Sequence, residues 1–95
     1  MNNIGINGFG RIGRSILRII VESNSDLNVI AINDLGDKET LSYLFKHDSI
    51  MGILNMNIEL EDDYLIVGDR KIKLISHSDP GEIPWSDLGV DLVVE

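Results

Sequence analysis

The sequence contains no cysteine. A disulfide framework, a thiolate metal site and a cysteine nucleophile are therefore excluded from these 95 residues. Such a composition is compatible with a cytosolic protein without establishing one. Basic residues are scarce: 8 Lys and Arg stand against 16 Asp and Glu, a formal net charge of −8. That balance disfavours nucleic acid and anionic membrane surfaces as partners. Aromatic residues make up 5% of the chain, so the core has to be aliphatic. No apolar run nears the roughly 20 residues of a membrane span. Residues 2–6 lack the basic-then-apolar order of a secretory signal. No repeat, low-complexity tract or linker is visible. A chain of 95 residues is one domain at most.

What is present has a clear order. Residues 4–7 form a short extended segment that stops at glycine. Residues 9–22 predict a helix, with Ile12, Ile16, Ile19 and Ile20 as one apolar stripe. Arg11, Arg14 and Arg18 occupy another face, and Arg18 is expected in solvent. The cluster Ser23-Asn24-Ser25-Asp26 ends this helix. Residues 27–32 are almost continuously apolar, as in a strand covered on both faces. Asp37 is a plausible N-cap for a second helix reaching about residue 47, with Leu41, Leu44 and Phe45 as its apolar contacts. After Asp48 the period becomes two, with Ile58 and Leu60 alternating with Asn57, Glu59 and Glu61. Residues 64–67 and 71–75 flank Gly68-Asp69, a pair suited to a type II′ hairpin turn. Pro80 and Pro84 mark a loop, and residues 91–94 open another apolar strand. The order predicts an α/β fold with a Rossmann-type parallel sheet. It comprises the first mononucleotide-binding half, a β hairpin or meander and the start of a fourth parallel strand.

The segment Gly8-Phe9-Gly10-Arg11-Ile12-Gly13 reads G-x-G-x-x-G between a strand and a helix. Gly8 permits the tight turn, Gly10 lets the backbone approach a pyrophosphate, and Gly13 lets the helix lie close on the sheet. The N–H groups of Arg11 and Ile12 are the expected donors to the anion. Asp34 lies 21 residues beyond Gly13, just past the second strand. There a carboxylate can accept from adenine-ribose hydroxyls, and its charge favours NAD over NADP. A glycine-rich turn without ligand and a capping role for Asp34 are the plainer readings of the same residues. The other candidates are weaker. His47 and His77 are isolated from carboxylates at catalytic spacing. Glu59, Glu61, Asp62 and Asp63 lack calcium-loop spacing and read as a solvated hairpin. Trp85 reads as packing, and Ser76, Ser78 and Ser86 lack a nucleophile-elbow context.

These residues resemble the N-terminal part of the glyceraldehyde-3-phosphate dehydrogenase family. The likeness is carried by Ile6-Asn7-Gly8-Phe9-Gly10-Arg11-Ile12-Gly13-Arg14, by Ala31-Ile32-Asn33-Asp34-Leu35 and by the segment from Tyr43 through Asp48 to Gly52. Asp79-Pro80, Pro84-Trp85 and the segment from Leu88 to Glu95 follow in the family's order, so the resemblance covers essentially the whole chain. It implies an NAD-dependent, phosphorylating oxidation of an aldehyde through a cysteine thiohemiacetal, with a histidine base, in a cytosolic homotetramer. By position it implies that Asn7, Arg11, Ile12, Asn33 and Asp34 surround the adenosine and pyrophosphate. Ser78 stands where the family usually carries a basic residue near the adenine. The resemblance also implies that the catalytic cysteine, the histidine and the substrate domain follow Glu95. Residues 1–95 are then the N-terminal part of a dinucleotide-binding domain, inactive alone, binding NAD or an ADP-ribose-like nucleotide. An exposed strand edge would invite self-association. An erythrose-4-phosphate dehydrogenase segment, a non-catalytic nucleotide-binding module and a structural protein without nucleotide are the alternatives.

Overall fold

The computed structural model describes residues 2–23, 25–47 and 56–95. Its strands are β1 (Asn3–Asn7), β2 (Asn28–Asn33), β3 (Ile58–Glu61), β4 (Tyr64–Val67), β5 (Arg70–Ile75) and β6 (Leu92–Val94). Its α-helices are α1 (Arg11–Glu22) and α2 (Lys38–Lys46), and a 3-10 turn covers Pro80–Glu82. Asn24 of the helix-ending cluster and the resemblance over residues 48–52 lie outside the described residues.

The strands form a six-stranded sheet in the order β3-β4-β5-β2-β1-β6. β5, β2, β1 and β6 run parallel, which is the expected order of third, second, first and fourth parallel strands. β3, β4 and β5 form an antiparallel meander, so β5 belongs to both ladders. Gly68 turns the β4–β5 hairpin at φ +62°, as the first residue of a type II′ turn requires.

Two expectations about α1 are overturned. The buried residues of the helix are Gly13, Leu17, Arg18, Ile20 and Val21, so of the isoleucine stripe Ile20 lies in the core and Ile16 packs against it, while Ile12 is 69% and Ile19 59% exposed. The reason is Gly13. A Cβ there would lie 2.7 Å from the Gly8 oxygen and 3.0 Å from Ile6 Cγ2, so this glycine marks the line along which helix meets strand. Sequence periodicity finds two adjacent apolar stripes and cannot see which one the backbone contact selects. The same rotation removes Arg18 from solvent. It is 4% exposed, and its Nε lies 3.5 Å from Glu22 Oε2, one turn on. The start also differs: the helix begins at Arg11, with Gly10 as N-cap, rather than at residue 9.

α2 begins as its sequence suggests. The Asp37 carboxylate accepts from the Thr40 N–H at 3.2 Å, with Glu39 in the first turn and Lys46 in the last. These charges complement the helix dipole. Leu41 and Phe45 face the core, where Phe45 meets Phe9 at 5.8 Å between ring centroids. Leu44 is exposed instead. The fully buried side chains Phe9, Phe45, Ile6, Leu17, Ile32, Leu65, Ile72 and Val67 anchor this core. Each contributes about 1.5–3 kcal/mol on burial.

Side chains alternate along β1, so Ile6 faces α1 and Gly5 faces the other side of the sheet. There Trp85 covers Gly5: a Cβ at that position would lie 2.5 Å from the indole ring. The crossover from β5 to β6 thus passes over the face opposite α1. The direction of winding reverses between β1 and β6, and a cleft opens at their carboxyl ends.

Candidate functional site

The carboxyl ends of the parallel strands deliver the glycine turn, Asn33-Asp34 and His77-Ser78 to one rim. Gly8 sits at φ +96°, a conformation that disfavours a side chain, and its N–H donates to the Asn33 main-chain oxygen at 2.7 Å. The next N–H, from Phe9, donates to Asp34 Oδ2 at 2.7 Å. The Phe9 ring is 1% exposed, so this residue supports the turn from inside rather than lining the rim. Arg14 Nη1 donates to the Phe9 oxygen at 3.3 Å and closes the turn from the helix side.

Gly10 caps α1 without a side-chain hydrogen bond, and no acidic residue occupies the first turn. The N–H groups of Arg11 and Ile12 therefore have no intrahelical acceptor and stand at the positive end of the helix. A Cβ on Gly10 would meet nothing within 4 Å, and its φ of −82° suits any residue. Neither packing nor backbone conformation calls for glycine at this position.

Two adjoining hollows share Asn7 and Gly8. The first, about 410 Å³, is lined by the glycine turn, Arg11, Ile12, Gly13 and the end of β6. The second, about 340 Å³, is lined by Asn33, Asp34, Leu35, His77, Ser78 and Ile83. Asp34 also accepts from the Gly36 N–H through Oδ1 at 2.8 Å, so both of its oxygens are fixed by backbone donors. A carboxylate has about four acceptor positions, which leaves capacity for a ligand hydroxyl. A third hollow of about 310 Å³ lies between β5 and the start of α2, but Asp37 already caps that helix.

Of the residues named from sequence, Asn7, Gly8, Gly10, Arg11, Ile12, Gly13, Asn33, Asp34 and Ser78 all line these two hollows. Phe9 does not. His47 packs on Tyr43 at 4.5 Å between rings, and Asp63 pairs with Lys38. Among the described residues no cluster of His, Cys, Asp or Glu could hold a metal ion. No described helix is long and apolar enough to cross a membrane. Sequence reasoning missed Gly5, whose signal was a glycine inside a strand. It also missed the hydrogen-bonding of Asn33 to His77, which pairs residues 44 apart and has no local signature.

Comparison with known proteins identifies the family. Residues 2–95 match the family model for the glyceraldehyde 3-phosphate dehydrogenase NAD binding domain. Glyceraldehyde-3-phosphate dehydrogenase 1 of Streptomyces arenae is 49% identical over 97% of the chain and 28% of its own length. Glyceraldehyde-3-phosphate dehydrogenase of Chlamydia pneumoniae is 53% identical over 95% of the chain and 27% of its own length. The Thermotoga maritima enzyme is 48% identical over 100% of the chain and 29% of its own length. The chain thus spans little more than a quarter of the curated relatives it matches.

Proposed function

Since the chain belongs to the family of glyceraldehyde 3-phosphate dehydrogenase NAD-binding domains, we propose that it forms the ADP-ribose half of an NAD site. The Arg11 and Ile12 N–H groups hold the pyrophosphate at the start of α1. Asp34 takes the adenine-ribose hydroxyls, and the His77-Ser78 wall bounds the adenine side. Bound NAD would supply a hydride acceptor. The two fixed oxygens of Asp34 repel a 2′-phosphate, which selects NAD over NADP.

The observation that carries this reading is Gly10, a glycine that nothing inside the protein requires, at the uncapped start of a helix. A Cβ there would take only ligand space. The test is an amide-shift NMR titration with NAD and, separately, ADP-ribose. We expect matching shifts at residues 8–13 and Asp34 with similar affinity, and loss of those shifts in a folded Gly10→Val variant. An unchanged response in Gly10→Val would remove the pyrophosphate assignment. NAD binding tenfold tighter than ADP-ribose, about 1.4 kcal/mol, would show a nicotinamide site within these residues and refute the half-site.

For the whole protein we infer a phosphorylating aldehyde dehydrogenase, acting on glyceraldehyde 3-phosphate in the cytoplasm as a homotetramer. These 95 residues contain no cysteine. On this reading the thiol nucleophile and its histidine base lie outside these residues, and the 95 residues alone are inactive. The outer edge of β6 is a route for this chain to self-associate.

A further inference from the structure

The Asn33 side chain is 5% exposed, the most enclosed polar side chain on the rim. Its Nδ2 donates to Asn7 Oδ1 at 3.0 Å and to the His77 oxygen at 3.1 Å, and its Oδ1 accepts from the His77 N–H at 2.7 Å. A side-chain amide has two N–H donors, and both are spent inside the protein. The orientation follows from His77, because a main-chain N–H can only donate and a carbonyl can only accept. Asn7 therefore turns its oxygen towards Asn33. Its amide nitrogen, for which no described residue is an acceptor, is the end left for a ligand.

The position of this bonding matters. The β2–β5 ladder ends at Asn33 and Ile75, and His77-Ser78 lie beyond it. Among the described residues, no main-chain hydrogen bond ties residues 76–78 back to the rim. The paired bonds from the Asn33 amide do so instead. Through its main-chain oxygen the same residue holds the Gly8 N–H. One residue thus fixes the glycine turn, Asn7 and the adenine-side wall relative to one another.

We propose that Asn33 is a positioning residue rather than a ligand contact. It sets the spacing between the two hollows and presents Asn7 as a donor. The proposal rests on the NAD-site reading given above. A ligand that spans both hollows depends on that spacing, whereas a ligand confined to one does not. Loss of the amide should therefore act on the coupling between the hollows, a term commonly worth about 5–150-fold.

The test compares wild type with Asn33→Ala in NMR titrations against ADP-ribose, adenosine and inorganic pyrophosphate. ADP-ribose should weaken about tenfold or more, and each short probe by less than about threefold. Equal loss for all three ligands would mean general destabilisation, and no loss would mean no positioning role; either overturns the proposal. Failure of wild type to bind ADP-ribose is a different result, which overturns the NAD-site reading and the proposal with it. A measurement on wild type alone covers the case in which Asn33→Ala does not fold. The His77 main-chain N–H should exchange with solvent as slowly as the β5 ladder amides, and fast exchange would refute the clamp.

Discussion

Gly5 lies within β1 and Gly10 at the start of α1, and their surroundings ask opposite things of them. At Gly5 an added methyl group would lie 2.5 Å from the half-buried Trp85 ring. At Gly10 it would meet nothing within 4 Å. Gly5→Ala should therefore destabilise the chain by about 1–3 kcal/mol. For a domain this small each kcal/mol lowers the melting temperature by about 4–8 °C. Thermal unfolding followed by Trp85 fluorescence measures this directly. A melting point equal to that of wild type would show that the indole moves aside at no cost. Gly10→Ala should cost only the preference of an N-cap for glycine over alanine, less than Gly5→Ala costs, while weakening NAD. The glycine motif was legible in the sequence because its spacing is local. Gly5 was not, because the residue that makes it necessary lies 80 positions away.

Elements were legible where one signal decided them. Asp37 was visible as a cap, and Gly68-Asp69 as a turn, because each acts within a few residues. The buried face of α1 was not, because two stripes of similar apolarity lie side by side and only the contact at Gly13 chooses between them. A contact between elements has a measurable pH signature. Lys38, at the start of α2, hydrogen-bonds to Asp63 in the β3–β4 turn. That hydrogen bond, with the attraction of opposite charges, lowers the Asp63 pKa from 3.8 and raises that of Lys38 from 10.5. The lowered carboxylate contributes stability above its unfolded value, and this is lost as pH falls through its folded value. The raised amine contributes below its unfolded value, and this is lost as pH rises through its folded value. Both groups are exposed, so the contribution is small and screened by salt. Asp63→Asn should melt slightly below wild type at neutral pH, and the two curves should meet once acid has protonated Asp63. A gap of constant size down to full protonation would exclude the ion pair as its source.

At the scale of the whole molecule, the parallel order β5-β2-β1-β6 places the glycine turn and Asp34 side by side. That order was legible because right-handed crossovers leave few alternatives. The way the crossover before β6 covers the sheet was not, since it depends on the fit of Trp85 to a bare stretch of strand. β6 is an edge strand among the described residues, and Leu92 on it is exposed. Sedimentation of this chain should show concentration-dependent association that Leu92→Lys reduces, because a charge blunts an open edge. Sedimentation as a monomer at all concentrations would remove the edge as an association surface.

Phe9 joins these scales in one residue. Its N–H meets Asp34 at the rim while its ring meets Phe45 in the core. On the proposed role of Asp34, selection for cofactor affinity also bears on Phe45, a residue of α2 with no place in either hollow. A lineage losing affinity through Phe45 could regain it by repacking the interior, with every ligand-facing residue untouched.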